Sequence, residues 1–249
     1  MSIKSNLETT KASFLLLHKW LHKASVNGLD WLDYKIEEIA KTTNKRTLFT
    51  SYSAVPRYLG KQKINLLDED LQAVKKLVAG WNPVDMTTDR AGRILLLLSF
   101  PSENSDRYVA TLEQIIAAAD VEEAIAFYRS LPLLPYPKKF QLRAAEGIRS
   151  NMTSVFNAVA LNNPYPAQYL DELAWNQMVL KALFVGSPLY PIYGLKSRNN
   201  RQLSQMLVDY AGERLAASRT VSPELWELVM PFQPEAVAQL KSTSKAECS

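Results

Sequence analysis

Apolar residues recur along this chain mostly at three- and four-residue spacing, and two-residue alternation is nearly absent. The first spacing places side chains on one face of an α-helix, whereas alternation would place them on one face of a β-strand. Glycine, which weakens helix interiors, occurs only eight times in 249 residues. The pattern therefore predicts an all-α fold.

The same periodicity, with prolines and capping residues as punctuation, predicts twelve helices. They span residues 7–24, 30–42, 46–59, 68–79, 88–99, 106–119, 121–130, 138–149, 152–161, 167–184, 200–217 and 223–229. Short loops between short helices favour antiparallel neighbours, and a helix pair of about 40 residues is typical of HEAT- and armadillo-like repeats. We predict a helical-repeat-like stack of antiparallel helices, with an irregular α-bundle as the alternative.

The chain offers no long linker that would divide it into separate domains. We expect one all-α domain over residues 1–232, with an N-terminal helical layer over residues 1–85. The composition becomes less regular from residue 233, which predicts a mostly flexible tail over residues 233–249. That tail holds the single cysteine, Cys248, so an intrachain disulfide is not possible.

Charge and hydropathy argue against nucleic acid and against a membrane span. The net charge is only +4, and the basic residues are scattered, without the dense basic patch of a nucleic-acid-binding protein. No run of about 20 apolar residues is present, and the first residues lack the pattern of a signal peptide. We expect a cytoplasmic protein. Peripheral membrane association through the helix at 7–24 is an alternative to core packing of its apolar face.

The two histidines, His18 and His22, are spaced so that both imidazoles lie on one helical face, as a metal pair needs. Lys19, however, stands where the helix of a zinc protease carries its glutamate base. We interpret the pair as a partly exposed helix flank and expect no metal. The sequence also lacks a G-x-S-x-G motif, a phosphate-binding loop and a dinucleotide-binding glycine motif. We therefore expect no catalytic residues and no cofactor.

Six polar or aromatic residues are candidates for a ligand-binding pocket between helices: Arg149, Asn151, Asn176, Gln177, Tyr190 and Tyr193. Asn176 and Gln177 lie in the most apolar part of the predicted 167–184 helix, so at least one amide should be buried. A buried amide without partners costs about 1–3 kcal/mol, and free backbone groups at a helix end or turn would suit it. Tyr190 and Tyr193 belong to GSPLYPIYGL, a rigid aromatic segment typical of a pocket rim.

An ion-pair network is predicted next to these candidates. Glu146 lies three residues from both Arg143 and Arg149, which places the three side chains on one helical face. Such a network either shapes a binding site or locks two helices together.

The second half of the chain resembles the EboA family. The motifs RSNM, NPYP, AWNQMVLKALF and SPELW carry the resemblance, which covers about residues 131–226 within a region that we assign to residues 86–232. The N-terminal half resembles the family only in its helical pattern.

The resemblance implies a place in the small bacterial and algal gene cluster ebo. Its members accompany a UbiA-like prenyltransferase, a TatD-like hydrolase and proteins that resemble a sugar-phosphate isomerase and a dehydroquinate synthase. In cyanobacteria the cluster is associated with moving a precursor of the sunscreen pigment scytonemin from cytoplasm to periplasm. The family has no established catalytic residues.

These observations favour a non-catalytic interaction or scaffold protein in a secondary-metabolite trafficking or biosynthesis assembly. Its expected partners are other ebo-cluster proteins and a small metabolite, since stacked helices offer a long concave surface. The alternative is a small-molecule-binding protein or an enzyme that acts on a metabolite precursor in an inter-helix pocket.

Overall fold

The computed structural model describes residues 3–246. Over this part of the chain it contains fourteen α-helices and no β-strand; the one extended pairing is an isolated antiparallel bridge between Lys63 and Thr87. The all-α prediction is confirmed, whereas the helical-repeat arrangement stays a prediction. None of the helices in this part of the chain has the length and apolar character needed to cross a bilayer.

The described residues divide into two compact units, the first ending at Tyr169 and the second beginning at Leu170. The single domain over residues 1–232 and the N-terminal helical layer over residues 1–85 both stay predictions. The helices of the first unit are α1 (Ile3–Lys23), α2 (Leu29–Thr42), α3 (Lys45–Leu59), α4 (Asp68–Leu77), α5 (Thr88–Ser99), α6 (Ser105–Ala117), α7 (Val121–Ser130), α8 (Gln141–Arg149), α9 (Thr153–Ala160) and α10 (Tyr165–Tyr169). The helices of the second unit are α11 (Glu172–Phe184), α12 (Arg201–Ala216), α13 (Pro223–Val229) and α14 (Pro234–Ala246).

Eleven of the twelve predicted helices occur with ends within a few residues of the prediction. The predicted helix at 167–184 is instead two helices, α10 and α11. Asp171 causes the break, because its carboxylate accepts a hydrogen bond from the Ala174 N–H at 2.7 Å and so caps the start of α11. Elsewhere the capping logic holds: Asp120 and Glu123 exchange the two hydrogen bonds of a capping box at the start of α7.

The segment predicted as a mostly flexible tail contains α14. This helix starts at Pro234, packs against α12 and buries Val237, which is 2% exposed. Proline suits the first turn of a helix because its missing N–H would have no partner there. Cys248 lies outside the described residues.

The core of the first unit forms around α5, whose neighbours are α1, α2, α3 and α7. The buried face of α5 also contains an ion pair. Arg93 Nη1 donates to Asp89 Oδ2 at 2.9 Å, and both side chains are 2% exposed. Thr87 donates to the other Asp89 oxygen, and Arg93 Nε donates to the Tyr52 carbonyl. The buried charges are therefore hydrogen-bonded on both sides, as burial requires.

Candidate functional site

The candidate site lies in the second unit and begins where α11 ends. Gly186 adopts a positive φ of 72°, and the Ser187 N–H donates back to the Ala182 carbonyl at 2.8 Å. This six-to-one hydrogen bond with a left-handed glycine is a Schellman motif, which stops a helix and turns the chain away from it. The chain then enters the loop over residues 187–199, here called the tyrosine loop.

Two apolar residues and one carboxylate hold the tyrosine loop in place. Leu189 is fully buried and Ile192 is 3% exposed, so both anchor the loop to the core of the second unit. Glu224, in the first turn of α13, accepts the Leu189 N–H at 3.0 Å and the Tyr190 N–H at 2.7 Å. Such charge-assisted bonds to consecutive backbone groups are stronger than neutral ones. The backbone at Tyr190 is therefore fixed even though its side chain is 81% exposed.

The tyrosine loop and α13 enclose a surface cavity of about 570 Å³, within the size range of small-molecule sites. Tyr190 and Tyr193 lie on the loop side and Glu224, Glu227 and Leu228 on the α13 side. A second cavity of about 500 Å³ lies next to it and shares Glu224 as a lining residue. Two of the six candidate residues are thus brought together at one cavity.

The side chains that line this cavity supply aromatic, hydroxyl and charged groups. The two tyrosines supply aromatic faces and hydroxyl groups. Lys196 and Glu227 supply exposed opposite charges, with Nζ and Oε2 3.9 Å apart. The residues that line the cavity include no histidine or cysteine. The arrangement can stack a planar ring or take up an apolar side chain, and its polar rim can orient either one.

Asn176 lies behind the tyrosine loop and is fully buried. Its Oδ1 accepts from Asn200 Nδ2 at 2.9 Å, and its Nδ2 donates to Asn200 Oδ1 at 3.2 Å. Asn200 is the N-cap of α12, and its Oδ1 also accepts the Leu203 N–H at 2.8 Å. The buried amide is therefore bound to the side chain of a helix-capping residue, and not to free backbone groups as the sequence had predicted.

Arg198 and Asn199 fix the same end of the tyrosine loop. Arg198 donates to the Leu170 carbonyl at 2.9 Å, and its guanidinium lies 4.7 Å from the centre of the Trp175 ring, a cation–π contact. Burial lowers the pKa of Arg198, against the opposing effect of the carboxylates at the start of α11. Asn199 Nδ2 donates to the Leu228 carbonyl at 2.8 Å. The loop is thus tied to both α11 and α13.

The other three candidates are all exposed. Gln177 lies on α11 of the second unit, and its side chain forms no hydrogen bond with the described residues. Arg149 and Asn151 are residues of the first unit, at and just after the end of α8. A ligand-binding role for the three stays a prediction.

The predicted ion-pair network forms with a different set of residues. Arg143 pairs with Glu146 at 2.6 Å and also with Glu113 of α6, whereas Arg149 forms no ion pair with the described residues. Glu113 could not be chosen from the sequence because it lies 30 residues before Arg143. The network joins α8 to α6, which matches the interpretation as a lock between helices.

Sequence reasoning missed Glu224, Glu227 and Lys196 as residues of the site. The predicted helix over residues 223–229 places Glu224 in a first helical turn, and in the structure Ser222 is the N-cap of α13. A carboxylate in a first helical turn normally interacts with that helix's own N-terminus. Only the fold shows that Glu224 instead binds the backbone of the tyrosine loop.

A comparison with protein families extends the resemblance to most of the chain. The model described as "Metabolite traffic protein EboA" matches residues 13–230. The match therefore includes nearly all of the N-terminal half. For that half, the sequence shows only a helical pattern in common with the family. No curated protein and no solved structure matches the chain.

Proposed function

The chain belongs to the EboA family of metabolite traffic proteins, and from that premise we propose that it is a non-catalytic interaction or scaffold protein in a metabolite trafficking or biosynthesis assembly. Its place would be in the cytoplasm, among other products of the ebo cluster. The cargo would be a scytonemin-like precursor on its way to the periplasm, as the family resemblance implies.

The observation that carries this proposal is the exposure of Tyr190 on a rigid backbone. Single exposed apolar residues are normal on a protein surface, but most of them belong to segments that are free to move. Here Glu224, Leu189 and Ile192 fix the loop. Binding through a tyrosine on a fixed backbone orders only the side chain and not the loop, and tyrosine is typical of the residues that dominate an interface.

Two further apolar side chains of the second unit are exposed. Phe184, at the end of α11, is 64% exposed, and its ring lies edge-on to Tyr210 with the centroids 4.9 Å apart. Met230, just after α13, is 47% exposed. These residues supply the adaptable apolar contacts that a partner protein would cover.

Co-purification with the neighbouring ebo products tests the proposal. The tagged chain is expressed together with them, and the retained products are identified by mass spectrometry. We expect the wild type to retain at least one product and a Tyr190→Ser/Tyr193→Ser variant to lose it. Tyr34→Ser is the matched control, because Tyr34 is 61% exposed but lies in the first unit. Retention of no ebo product by the wild type would refute the scaffold proposal.

A second candidate function is the binding, or enzymatic conversion, of a small metabolite precursor in the cavity beside the tyrosine loop. The cavity of about 570 Å³ and its two tyrosines favour this alternative. Planar aromatic compounds are the natural probes, and ligand-observed NMR with indole and naphthol tests it. Binding that is lost in Tyr190→Ser/Tyr193→Ser but kept in Tyr34→Ser would support a ligand site, whereas equal signals for all three proteins would refute it.

A further inference from the structure

Three metal-binding side chains come together in the first unit, far along the chain from the tyrosine loop. They are His18 and His22 of α1 and Asp33 of α2, and one ligand atom from each lies within 4.8 Å of the others. His18 Nε2 and Asp33 Oδ1 are already 2.7 Å apart. We propose that these three residues bind a first-row divalent transition-metal ion, with Zn²⁺ as the best-suited ion.

The two imidazoles are held on one face of a long helix. His18 and His22 are one helical turn apart, and their ring centroids are 4.5 Å apart. Phe14, one turn before His18, stacks on its ring at 6.0 Å with an interplanar angle of 10°. The ring of His18 therefore has a packing partner on one side, which limits its rotation. A helix that orders two ligands in advance reduces the entropic cost of binding an ion.

Asp33 comes from the next helix because of how the chain turns between α1 and α2. The turn ends at Gly28, whose φ is 87° and where an added Cβ would lie 2.7 Å from the Tyr58 carbonyl oxygen. Glycine permits both this conformation and this close approach. The start of α2 is thereby fixed against α3, and its second turn places Asp33 next to His18.

The ligand set determines the class of ion. Imidazole nitrogens favour Zn²⁺, Fe²⁺, Co²⁺, Ni²⁺ and Cu²⁺ over Mg²⁺ or Ca²⁺, which prefer oxygen ligands. Three protein ligands, two imidazoles and one carboxylate, leave at least one coordination position for water. The cluster is also open to ion entry, since the side chains of His18 and Asp33 are 28% and 43% exposed.

The negative charge at the cluster comes from Asp33 itself, with Asp30 one turn before it on the same face of α2. Glu37, one turn after Asp33, is paired with Lys41. On α1, Lys19 lies between the two histidines in the sequence, whereas the ammonium of Lys23 is paired with Glu69 at 2.9 Å and Asp70 at 3.3 Å. Carboxylates next to two imidazoles attract a cation.

An ordinary surface ion pair is the competing explanation, and it accounts for only part of the cluster. It explains the contact between His18 and Asp33 but assigns no role to His22, whose side chain forms no hydrogen bond or ion pair with the described residues and contacts the ring of His18 instead. A metal ion would use all three side chains, and it would replace the hydrogen bond between His18 and Asp33.

Isothermal titration of the full-length, untagged, chelator-stripped protein with Zn²⁺ tests the proposal. A polyhistidine tag is avoided because it would bind the ion itself, and Cys248→Ser is included because a free thiol is also a zinc ligand. We expect one equivalent of Zn²⁺ to bind to the wild type and to Cys248→Ser, and excess Mg²⁺ not to compete. Stripped protein loaded with Co²⁺ should show the visible absorption of a site with nitrogen and oxygen ligands.

Variants separate the three-ligand site from other metal binding. His22→Gln and Asp33→Asn should each lower the Zn²⁺ affinity at least about tenfold, since even outer partners of a metal site contribute that much. Asp30→Asn is the matched control on α2, and it should keep the wild-type affinity within about twofold. The proposal is overturned if the wild type binds no equivalent of Zn²⁺, or if Asp33→Asn binds as tightly as Asp30→Asn. All three variants change exposed or half-exposed side chains, and circular dichroism checks that each one folds.

Discussion

Asn176 and Asn200 bind each other through two amide hydrogen bonds, 2.9 Å and 3.2 Å long, with Asn176 fully buried. The two residues are 24 positions apart, and Asn200 simultaneously caps α12. One buried amide thus fixes both the start of a helix and the end of the tyrosine loop. This relationship explains why a buried amide, Asn176, stands in an apolar helix, without assigning it to a ligand.

Replacement of Asn176 tests this relationship through stability. Asn176→Ala leaves the Asn200 amide without its buried partner, so we expect the free energy of unfolding to fall by about 1–3 kcal/mol. Urea denaturation measures the change. Gln177→Ala is the matched control, because Gln177 is the adjacent amide and is exposed; it should change stability by less than about 0.5 kcal/mol. Equal effects of the two substitutions would contradict the structural role of Asn176.

A double-mutant cycle sharpens the same prediction. If Asn176 and Asn200 act on each other directly, Asn176→Ala, Asn200→Ala and the double variant should show a coupling energy of about 0.5–3 kcal/mol. Strict additivity would mean that the two amides stabilise the chain independently, contrary to the reciprocal hydrogen bonds.

The buried ion pair of α5 gives a second prediction. Arg93→Met removes the partner of the Asp89 carboxylate, which is only 2% exposed, and leaves an uncompensated buried charge. We expect a loss of about 3–5 kcal/mol in the free energy of unfolding. The control is Glu37→Gln, which breaks the exposed pair with Lys41 and should cost less than about 1 kcal/mol. A small effect of Arg93→Met would contradict the burial of this ion pair.

Two helical glycines predict opposite effects of the same substitution. Gly212, inside α12, has nothing within 4 Å of an added Cβ, so Gly212→Ala should stabilise the chain by about 1 kcal/mol through helix propensity. At Gly147, inside α8, a Cβ would lie 2.6 Å from the Tyr128 ring. Gly147→Ala should therefore destabilise by about 1–3 kcal/mol. Thermal unfolding of both variants measures this, and effects of the same sign would contradict the packing at α8.

Asp70 predicts a pH dependence of stability. Although burial alone would raise its pKa, the Leu67 N–H and the Lys23 ammonium hold the pKa of Asp70 below its usual 3.8. A carboxyl group with a lowered folded-state pKa stabilises the fold above the unfolded-state value and loses that contribution as the pH falls through the folded-state value. Asp70→Asn should therefore be less stable than the wild type at neutral pH.

The difference between Asp70→Asn and the wild type should shrink when both proteins are unfolded by urea below pH 3.8. Glu69→Gln is the control, because Glu69 also binds Lys23 but is 67% exposed, and its effect at neutral pH should be the smaller one. A difference that stays constant from neutral to acidic pH would show that the Asp70 charge does not contribute to stability.

Local patterns predicted much of the fold. Three- and four-residue periodicity, with prolines and capping residues as punctuation, located the helices, since both signals depend on residues close in sequence. The break at Asp171 was missed because the apolar pattern continues across it. Helix α14 was missed because its sequence is mostly polar and offers few apolar residues for burial, such as Val237.

The candidate site was predictable only in part. Tyr190 and Tyr193 could be selected because a proline-bounded aromatic segment is a local feature. The partner of Asn176 could not, because Asn200 lies 24 residues away. The proximity of Asp33 to the two histidines likewise depends on the turn between α1 and α2. Contacts of this kind arise from tertiary packing, which a single sequence does not record.

Metabolite distribution in the native host tests the proposed role in traffic most directly. In a host that makes scytonemin, the chromosomal gene is replaced by one that encodes Tyr190→Ser/Tyr193→Ser or the control Tyr34→Ser. A deletion strain is included. The pigment precursor is then measured in the cytoplasm and the periplasm at matched protein levels. We expect the precursor to accumulate in the cytoplasm of the deletion strain and of the double variant, while Tyr34→Ser behaves as wild type. An unchanged distribution in the deletion strain would contradict a role in traffic.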